Sequence, residues 1–556
     1  MKTYYKNLIG LALAAPLVAC NKAEQRPNII FFLVDDYGWA ESSLAFGEEV
    51  YPMNERYHTP NMERLAKMGV MMTNAYACPV STPTRTAMMT GMNAAHMGIT
   101  SFNSILKDKP SDAIGGAPGT TNENLSDIFA NPEWNHNGIC PESFADEVER
   151  YGLNHTLYCT PMVEVLKDVG YFTINIGKAH WSTGGTPAAN PFNLGFLINV
   201  AGSSNGHPRS YLGREFYGNT PQLWDLAAIQ NMSQYYDTDV HLTDALTMEA
   251  LKSLDYPIEQ GIPFYLYLSH HAPHTPIQGD ERFLQKYLDA GLDIGQARYA
   301  SLVEGMDKSL GDVLDFVQER GIADNTIIIF MSDNGGQSVG SPKGGVPHTQ
   351  NLPLREGKGS CYEGGIRIPL IFHWPGKTAA DVRINTPVIC EDMFATILDM
   401  AGVERYSTLQ ERDGESLVRL ITDGSQYVAK AKQRGEITTR KQANRFVVPA
   451  SVSGLEPDRE LIFHYPHQWR VEDQPDIDFL SAIRSGDWKL VYRMHDAALE
   501  LYNLAEDIGE QRNLAEEHPE RVKAMAARLS NRLREWQAPM PTVRATGKRV
   551  PMPDEL

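Results

Sequence analysis

Positive charge is what this chain is short of. Its 556 residues carry 50 Lys and Arg against 69 Asp and Glu, and the net charge of −19 argues against a nonspecific grip on nucleic acid or anionic lipid. Cysteine is scarce as well: there are six, none in the C-x-x-C spacing of a zinc or redox site. Past residue 20 no apolar run is long enough to cross a bilayer, and internal repeats, heptad runs and low-complexity tracts are absent. Ordinary globular composition remains, 42% hydrophobic, in a length that suggests two or more domains. An acidic protein that acts on an anion must gather positive charge locally.

The amino terminus stands apart. Lys2 and Lys6 precede an apolar run from Leu8 to Ala19, about the length of a signal-peptide core. The run ends in Leu17-Val-Ala-Cys20, which resembles a bacterial lipobox. The expectation is a signal peptide over 1–19, a lipidated Cys20, a tether over 20–26 and a place in a bacterial cell envelope, at the periplasmic face or the cell surface. Membrane contact would then run through the anchor alone. Five other cysteines remain, an odd number, so at least one is not in an intrachain pair. Export permits disulfides, and Cys140 with Cys159 is the one pair close in sequence; the sequence leaves their pairing open.

Asn28–Val34 is a continuous apolar run, as expected of a central parallel strand covered on both faces. Tyr171–Ile176, Pro263–Leu268, Thr326–Met331 and Pro369–His373 read the same way. Helical patterns alternate with them at Asn61–Met68, Pro161–Val169, Leu302–Glu319 and Met393–Ala401, which predicts a doubly wound α/β sheet over 27–449. Ligands bind such sheets beyond the carboxyl ends of the strands. Lys107–Pro141 and Asn190–Pro221 read as long loop excursions, more often functional than accidental. Short strands at Glu460–Tyr465, Ala482–Arg484, Trp488–Tyr492 and Leu499–Leu504, with a helix from about Pro519 to Trp536, predict a smaller α+β domain over 450–556.

Polar residues follow each main strand. Asp35-Asp36 closes the first and Asp333-Asn334 another. Adjacent carboxylates repel unless a cation lies between them, and three carboxylates with an amide oxygen form a calcium- or magnesium-type donor set. In Cys78-Pro-Val-Ser-Thr-Pro-Thr-Arg85, Pro83 suits the first turn of a helix and Ser81 its N-cap, which would put residue 81 at the positive end of the helix dipole. Lys178 and His180 follow a third strand, and Ser269-His-His-Ala-Pro-His274 follows a fourth. Lys358 lies ahead of Pro369–His373.

Ser81-x-Pro83-x-Arg85 resembles the modification motif of the type I sulfatases of the alkaline phosphatase superfamily, which implies an alkaline-phosphatase-like doubly wound mixed sheet. Cys78 does not fit that motif, because Val80 and Thr82 stand where Pro and Arg are needed. Thr59-Pro-Asn-Met62, Ala482–Leu490, Leu501-Tyr-Asn-Leu504 and Asn513-Leu-Ala515 also look like sulfatase sequence, so the likeness covers most of the chain from Arg26. The resemblance implies that Ser81 is oxidised to formylglycine, whose hydrated aldehyde attacks the sulfur of a sulfate ester. It implies calcium, with magnesium the second choice, held by Asp35, Asp36, Asp333, Asn334 and residue 81. Arg85 would steady the formylglycine, Lys178 and Lys358 would hold sulfate oxygens, His274 with Lys358 would protonate the departing alcohol, and His180 would assist release of sulfate. His270 and His271 match the motif less well than His274 and are read as structural. A serine at 81 implies a radical-type anaerobic maturating enzyme as partner, and a sulfated saccharide is the expected substrate. Sugar contacts are expected from Trp134, Asn135, His136, His207 and Arg209 on the excursions, with His467 and Trp469 from the smaller domain. Two rivals are a phosphatase or phosphodiesterase of the superfamily that uses Ser81 directly, and a catalytically silent glycan-binding lipoprotein.

Overall fold

Asn28–Val34 (β1) lies inside a nine-stranded sheet, and its side chains explain why the run is apolar without alternation. Ile29, Phe31 and Leu33 enter one hydrophobic core and Ile30, Phe32 and Val34 the other, each at most 1% exposed. The remaining strands of this sheet are Val70–Tyr76 (β2), Phe172–Gly177 (β3), Ile198–Val200 (β4), Phe264–Ser269 (β5), Thr326–Ser332 (β6), Arg367–His373 (β7), Val382–Ile384 (β8) and Val388–Ile389 (β9). Their order is β8-β2-β7-β6-β1-β5-β3-β4, with β9 also pairing β2. The computed structural model describes residues 26–102, 128–130, 132, 136, 138–150, 156–220, 223–224, 228–468 and 476–556. The expected signal peptide, Cys20, Trp134, Asn135 and Trp469 lie outside these residues.

The sheet is mixed, as the resemblance implies, but the antiparallel strand is one whose apolar run reads as parallel. β7, which contains Pro369–His373, runs antiparallel to both β6 and β2. A parallel return needs a crossover across the sheet, usually a helix. The connection after β6 holds only the four-residue turn Glu363–Ile366, so the chain re-enters at the edge it left and runs back. The consequence is functional: the amino end of β7 meets the carboxyl ends of β1, β2, β3, β5 and β6.

The helix expected at Leu302 begins earlier, at Ile294, because Asp293 caps it by accepting from the N–H groups of Gly295 and Gln296. The expected 190–221 excursion contains a strand among its described residues, since β4 extends the sheet beside β3. Beyond the α/β part, Glu460–Tyr465 (β10), Leu480–Ser485 (β11), Trp488–Arg493 (β12) and Ala498–Asn503 (β13) form an antiparallel sheet. Helix Pro519–Glu535 packs on one face of it through Met525, Leu529 and Leu533. Lys489 of β12 reaches back between Glu363 and Glu510 at 2.9 and 2.8 Å, all three fully buried. Removing one partner of such a buried pair costs about 3–5 kcal/mol. Cys78, Cys140, Cys159, Cys361 and Cys390 are free thiols. No described helix is long and apolar enough to cross a membrane.

Candidate active site

The carboxyl edge of the sheet brings the chemical residues together. β2 runs directly into helix Ser81–Thr90, and Val80, in extended conformation, is its N-cap. Ser81 is therefore the first helical residue and not the cap expected from sequence. Pro83 is the third, where its missing N–H still goes unneeded. Freed from capping, Ser81 Oγ faces the site, 3.1 Å from Asn334 Oδ1 and 3.3 Å from Asp35 Oδ1, and accepts from Lys178 Nζ at 3.2 Å. Lys178 also pairs with Asp35 at 2.7 Å. Arg85, fully buried on the next turn, donates Nε to Asp333 Oδ2 at 2.9 Å and Nη1 to Ser269 Oγ at 2.7 Å. Lys358, arriving ahead of β7, pairs with Asp36 Oδ1 at 2.7 Å and donates to His274 Nε2 at 3.1 Å.

The electrostatics favour a divalent cation. Burial pushes the Asp35 carboxyl up to about 8, with repulsion from Asp333 adding to it and Lys178 opposing. Burial acts on Asp333 in the same sense, but Arg85, Lys178 and Lys358 hold it well below the usual carboxylate range. Asp36 Oδ2 is buried without a hydrogen-bond partner, and Asp35, Asp36 and His274 offer ligand atoms that lie within 4.8 Å of one another. Crowded carboxylates with an orphaned oxygen, beside the amide oxygen of Asn334, fit a hard cation. Asp36 holds a left-handed φ of 60°, with its N–H on Asp333 Oδ1 at 3.2 Å, which turns its carboxylate back toward the others.

Burial pushes the His274 imidazole down to about 3 against the pull of Asp36, which favours its neutral form. Its Nδ1 donates to Thr275 O at 2.9 Å, which leaves Nε2 as the acceptor that Lys358 fills.

The sulfatase family's sequence profile matches residues 27–403, a stretch that contains every residue of this cluster. The chain belongs to the sulfatase family. This sulfatase is 28% identical over 594 residues to a protein named Sulfatase from Formosa agariphila, covering 96% of this chain and 94% of the other. It is 29% identical over 425 residues to the N-acetylgalactosamine-6-sulfatase of Rattus norvegicus, covering 75% of this chain and 70% of that one. Among solved structures, Ps i-CgsB in complex with k-i-k-neocarrahexaose superposes with a TM-score of 0.63 at 25% identity, over 93% of this chain and 94% of that one. The fold is thus alkaline-phosphatase-like α/β with an additional carboxyl-terminal domain, and the protein is a sulfuric ester hydrolase.

The 190–221 excursion of the sulfatase wraps both site histidines. Ser203 O accepts the His180 N–H at 2.9 Å, and Gly206 lies so close that a Cβ there would meet the His180 ring at 2.8 Å. His207 stacks parallel to His274, centroids 5.7 Å apart. Tyr211 donates to both His271 O and His274 O, at 2.8 and 2.9 Å. Sequence reasoning missed Ser203, Gly206, Tyr211 and Ser269; of these only Ser269, the last residue of β5, carried a signal, its place at a strand's carboxyl end. Arg209 is exposed and packs over Gly218. His136 is tied through its N–H to Gly98 O at 2.9 Å. His467 requires a correction: it is fully buried with Nε2 on Thr100 Oγ1 at 2.8 Å, so it is no surface for a sugar and serves as an internal tie.

Proposed function

We propose that this protein is a calcium-dependent carbohydrate sulfatase, matured at Ser81 and lipid-anchored in a bacterial envelope. The observation that carries the reading is the convergence on Ser81 Oγ of Lys178, Asp35 and Asn334, with Lys358 and His274 alongside. Relatives named for N-acetylgalactosamine-6-sulfate and a neighbour bound to a neocarrahexaose support a saccharide as substrate. Formylglycine at 81 would supply an oxygen nucleophile for sulfur, and calcium held by Asp35, Asp36, Asp333 and Asn334 would offset charge on the sulfate oxygens. The chain's own groups do the rest. Lys178 and Lys358 draw the sulfate ester in and hold its oxygens. The Lys358–His274 pair delivers a proton to the departing alcohol, and His180, beside Thr82 at 3.3 Å, handles the proton lost when sulfate leaves. Serine at 81 supports a radical-type anaerobic maturating enzyme as partner, and Leu17-Val-Ala-Cys20 supports the anchor.

The test is a desulfation screen over defined sulfated saccharides, paired with the mass of the peptide that contains residue 81. Conversion of serine to formylglycine removes about two mass units for the hydrogens lost. Desulfation together with that loss is expected. Phosphoester hydrolysis by a chain with unmodified Ser81 would overturn the reading.

A further inference from the structure

Three histidines share Ser269-His-His-Ala-Pro-His274, and two of them have clear protein partners. His270 meets Ser309 Oγ at 2.8 Å, and His274 is held by Thr275 O and Lys358. His271 has none: the residue is 1% exposed, and both ring nitrogens are buried without a hydrogen-bond partner among the described residues. Native folds rarely leave an imidazole in that state unless something outside the chain completes it. Its position is fixed on both sides. The His270 N–H donates to Leu33 O at 2.9 Å, the Asp35 N–H donates to Ala272 O at 3.1 Å, and His271 O accepts from Tyr211 and from the His274 N–H. Besides burial, the groups that bear on its ring electrostatically are Lys178, Arg85, His274 and His207, and all of them push it toward the neutral form. A neutral imidazole offers one N–H and one acceptor nitrogen.

We propose that His271 is a substrate-binding residue, whose ring N–H hydrogen-bonds an oxygen of the sulfate group. The proposal rests on the sulfatase reading of the same site. A sugar hydroxyl is a poor candidate partner, because the residue is 1% exposed and its segment lines the floor of the site, with Ala272 O on the Asp35 N–H and His271 O on the His274 N–H. The part of a substrate that must reach the depth of Ser81 is the sulfate itself. Sulfate oxygens accept and do not donate, which matches the N–H of a neutral imidazole.

Isothermal titration of inorganic sulfate into the matured, calcium-loaded protein tests this, with thermal denaturation alongside. His271→Phe fills the same space with a ring that cannot donate. If the imidazole were only core, that change should be neutral or stabilising and leave sulfate binding as it was. The expected result is an unchanged or higher Tm with sulfate affinity at least about ten-fold weaker, and a matching rise in KM on the saccharide with a smaller change in kcat. His271→Asn, which keeps a donor, should recover part of the affinity. If the phenyl ring prevents folding, His271→Ala should show the same loss, and added imidazole should restore binding. Wild-type sulfate affinity in His271→Phe, or no rescue of His271→Ala, would overturn the proposal. A wild-type protein that is folded and metal-loaded yet binds no sulfate would overturn the underlying site reading instead.

Discussion

Lys358 donates to Nε2 of His274 at 3.1 Å, so the two residues act on one proton. A sugar alcohol is a poor leaving group and needs that proton as the bond breaks, whereas a nitrophenolate does not. Lys358→Met and His274→Asn should each lower kcat on a sulfated saccharide by about 10²–10⁴-fold. The loss on an aryl sulfate should be much smaller for His274→Asn. Steady-state rates on the two substrates check this, and equal losses would remove His274 from the acid role.

Ser81→Ala should abolish turnover and leave the fold intact, because a small residue at the first helical position disturbs neither the Val80 cap nor the core. Ser81→Cys should stay active when expressed beside a suitable maturating enzyme. Circular dichroism and desulfation assays read the two effects separately.

Metal and activity should be lost together in Asp35→Asn and Asp36→Asn, since each removes one hard anionic ligand. Elemental analysis of carefully purified protein should find calcium in the wild type and a sub-stoichiometric amount in either variant. Stoichiometric zinc in the wild type would exclude the calcium site.

Burial holds His467 at a pKa of about 3 in the fold, against about 6.5 in an unfolded chain. Below pH 6.5 the unfolded chain takes up a proton that the folded one refuses. The stabilisation is therefore complete above pH 6.5 and is lost as the pH falls toward 3. Between pH 7 and pH 5 this single group costs the wild type about 2 kcal/mol. His467→Asn should show an acid sensitivity smaller by that amount in denaturant titrations at the two pH values. An identical loss in both proteins would mean that His467 is accessible to protons in the fold.

What the sequence made legible follows from the geometry of a parallel sheet. Asp35, Lys178 and Asp333 each come at or just after a strand's carboxyl end, and that edge is where such sheets bind ligands, so reading the strands located the site. Lys358 had no such marker. It precedes β7, and an apolar run such as Pro369–His373 carries no sign of its direction; only the family motif pointed to Lys358, which the structure puts against Asp36 and His274. The N-cap assignment of Ser81 failed because serine before proline fits a cap and a first helical residue equally well, and the extended Val80 decided between them. His270, His271 and His274 are one residue type within five positions. Which of them faces Ser309, which Lys358 and which neither depends on backbone turns that composition does not encode.

Specificity should reside in His207. The sulfate group is common to all substrates, so the residues that grip it do not distinguish sugars, and discrimination falls to hydrogen bonds with neighbouring hydroxyls. His207 stacks at 5.7 Å on His274, the residue proposed to serve the leaving alcohol, and unlike that partly buried ring it is exposed to solvent. Its orientation is set by its N–H on Asn205 Oδ1 and by Nδ1 on Pro208 O, each at 3.1 Å. A side chain in that place would meet the sugar that bears the departing oxygen. His207→Ala should lower kcat/KM on the true saccharide by about ten-fold, the worth of one hydrogen bond to a substrate hydroxyl. Part of that loss could come from unsettling His274, and His207→Phe separates the two causes because it keeps the stack and drops the polar atoms. The Phe variant should match the wild type on a small aryl sulfate and the Ala variant on the saccharide. A Phe variant as active as the wild type on the saccharide would move the sugar contact to another residue of the excursion.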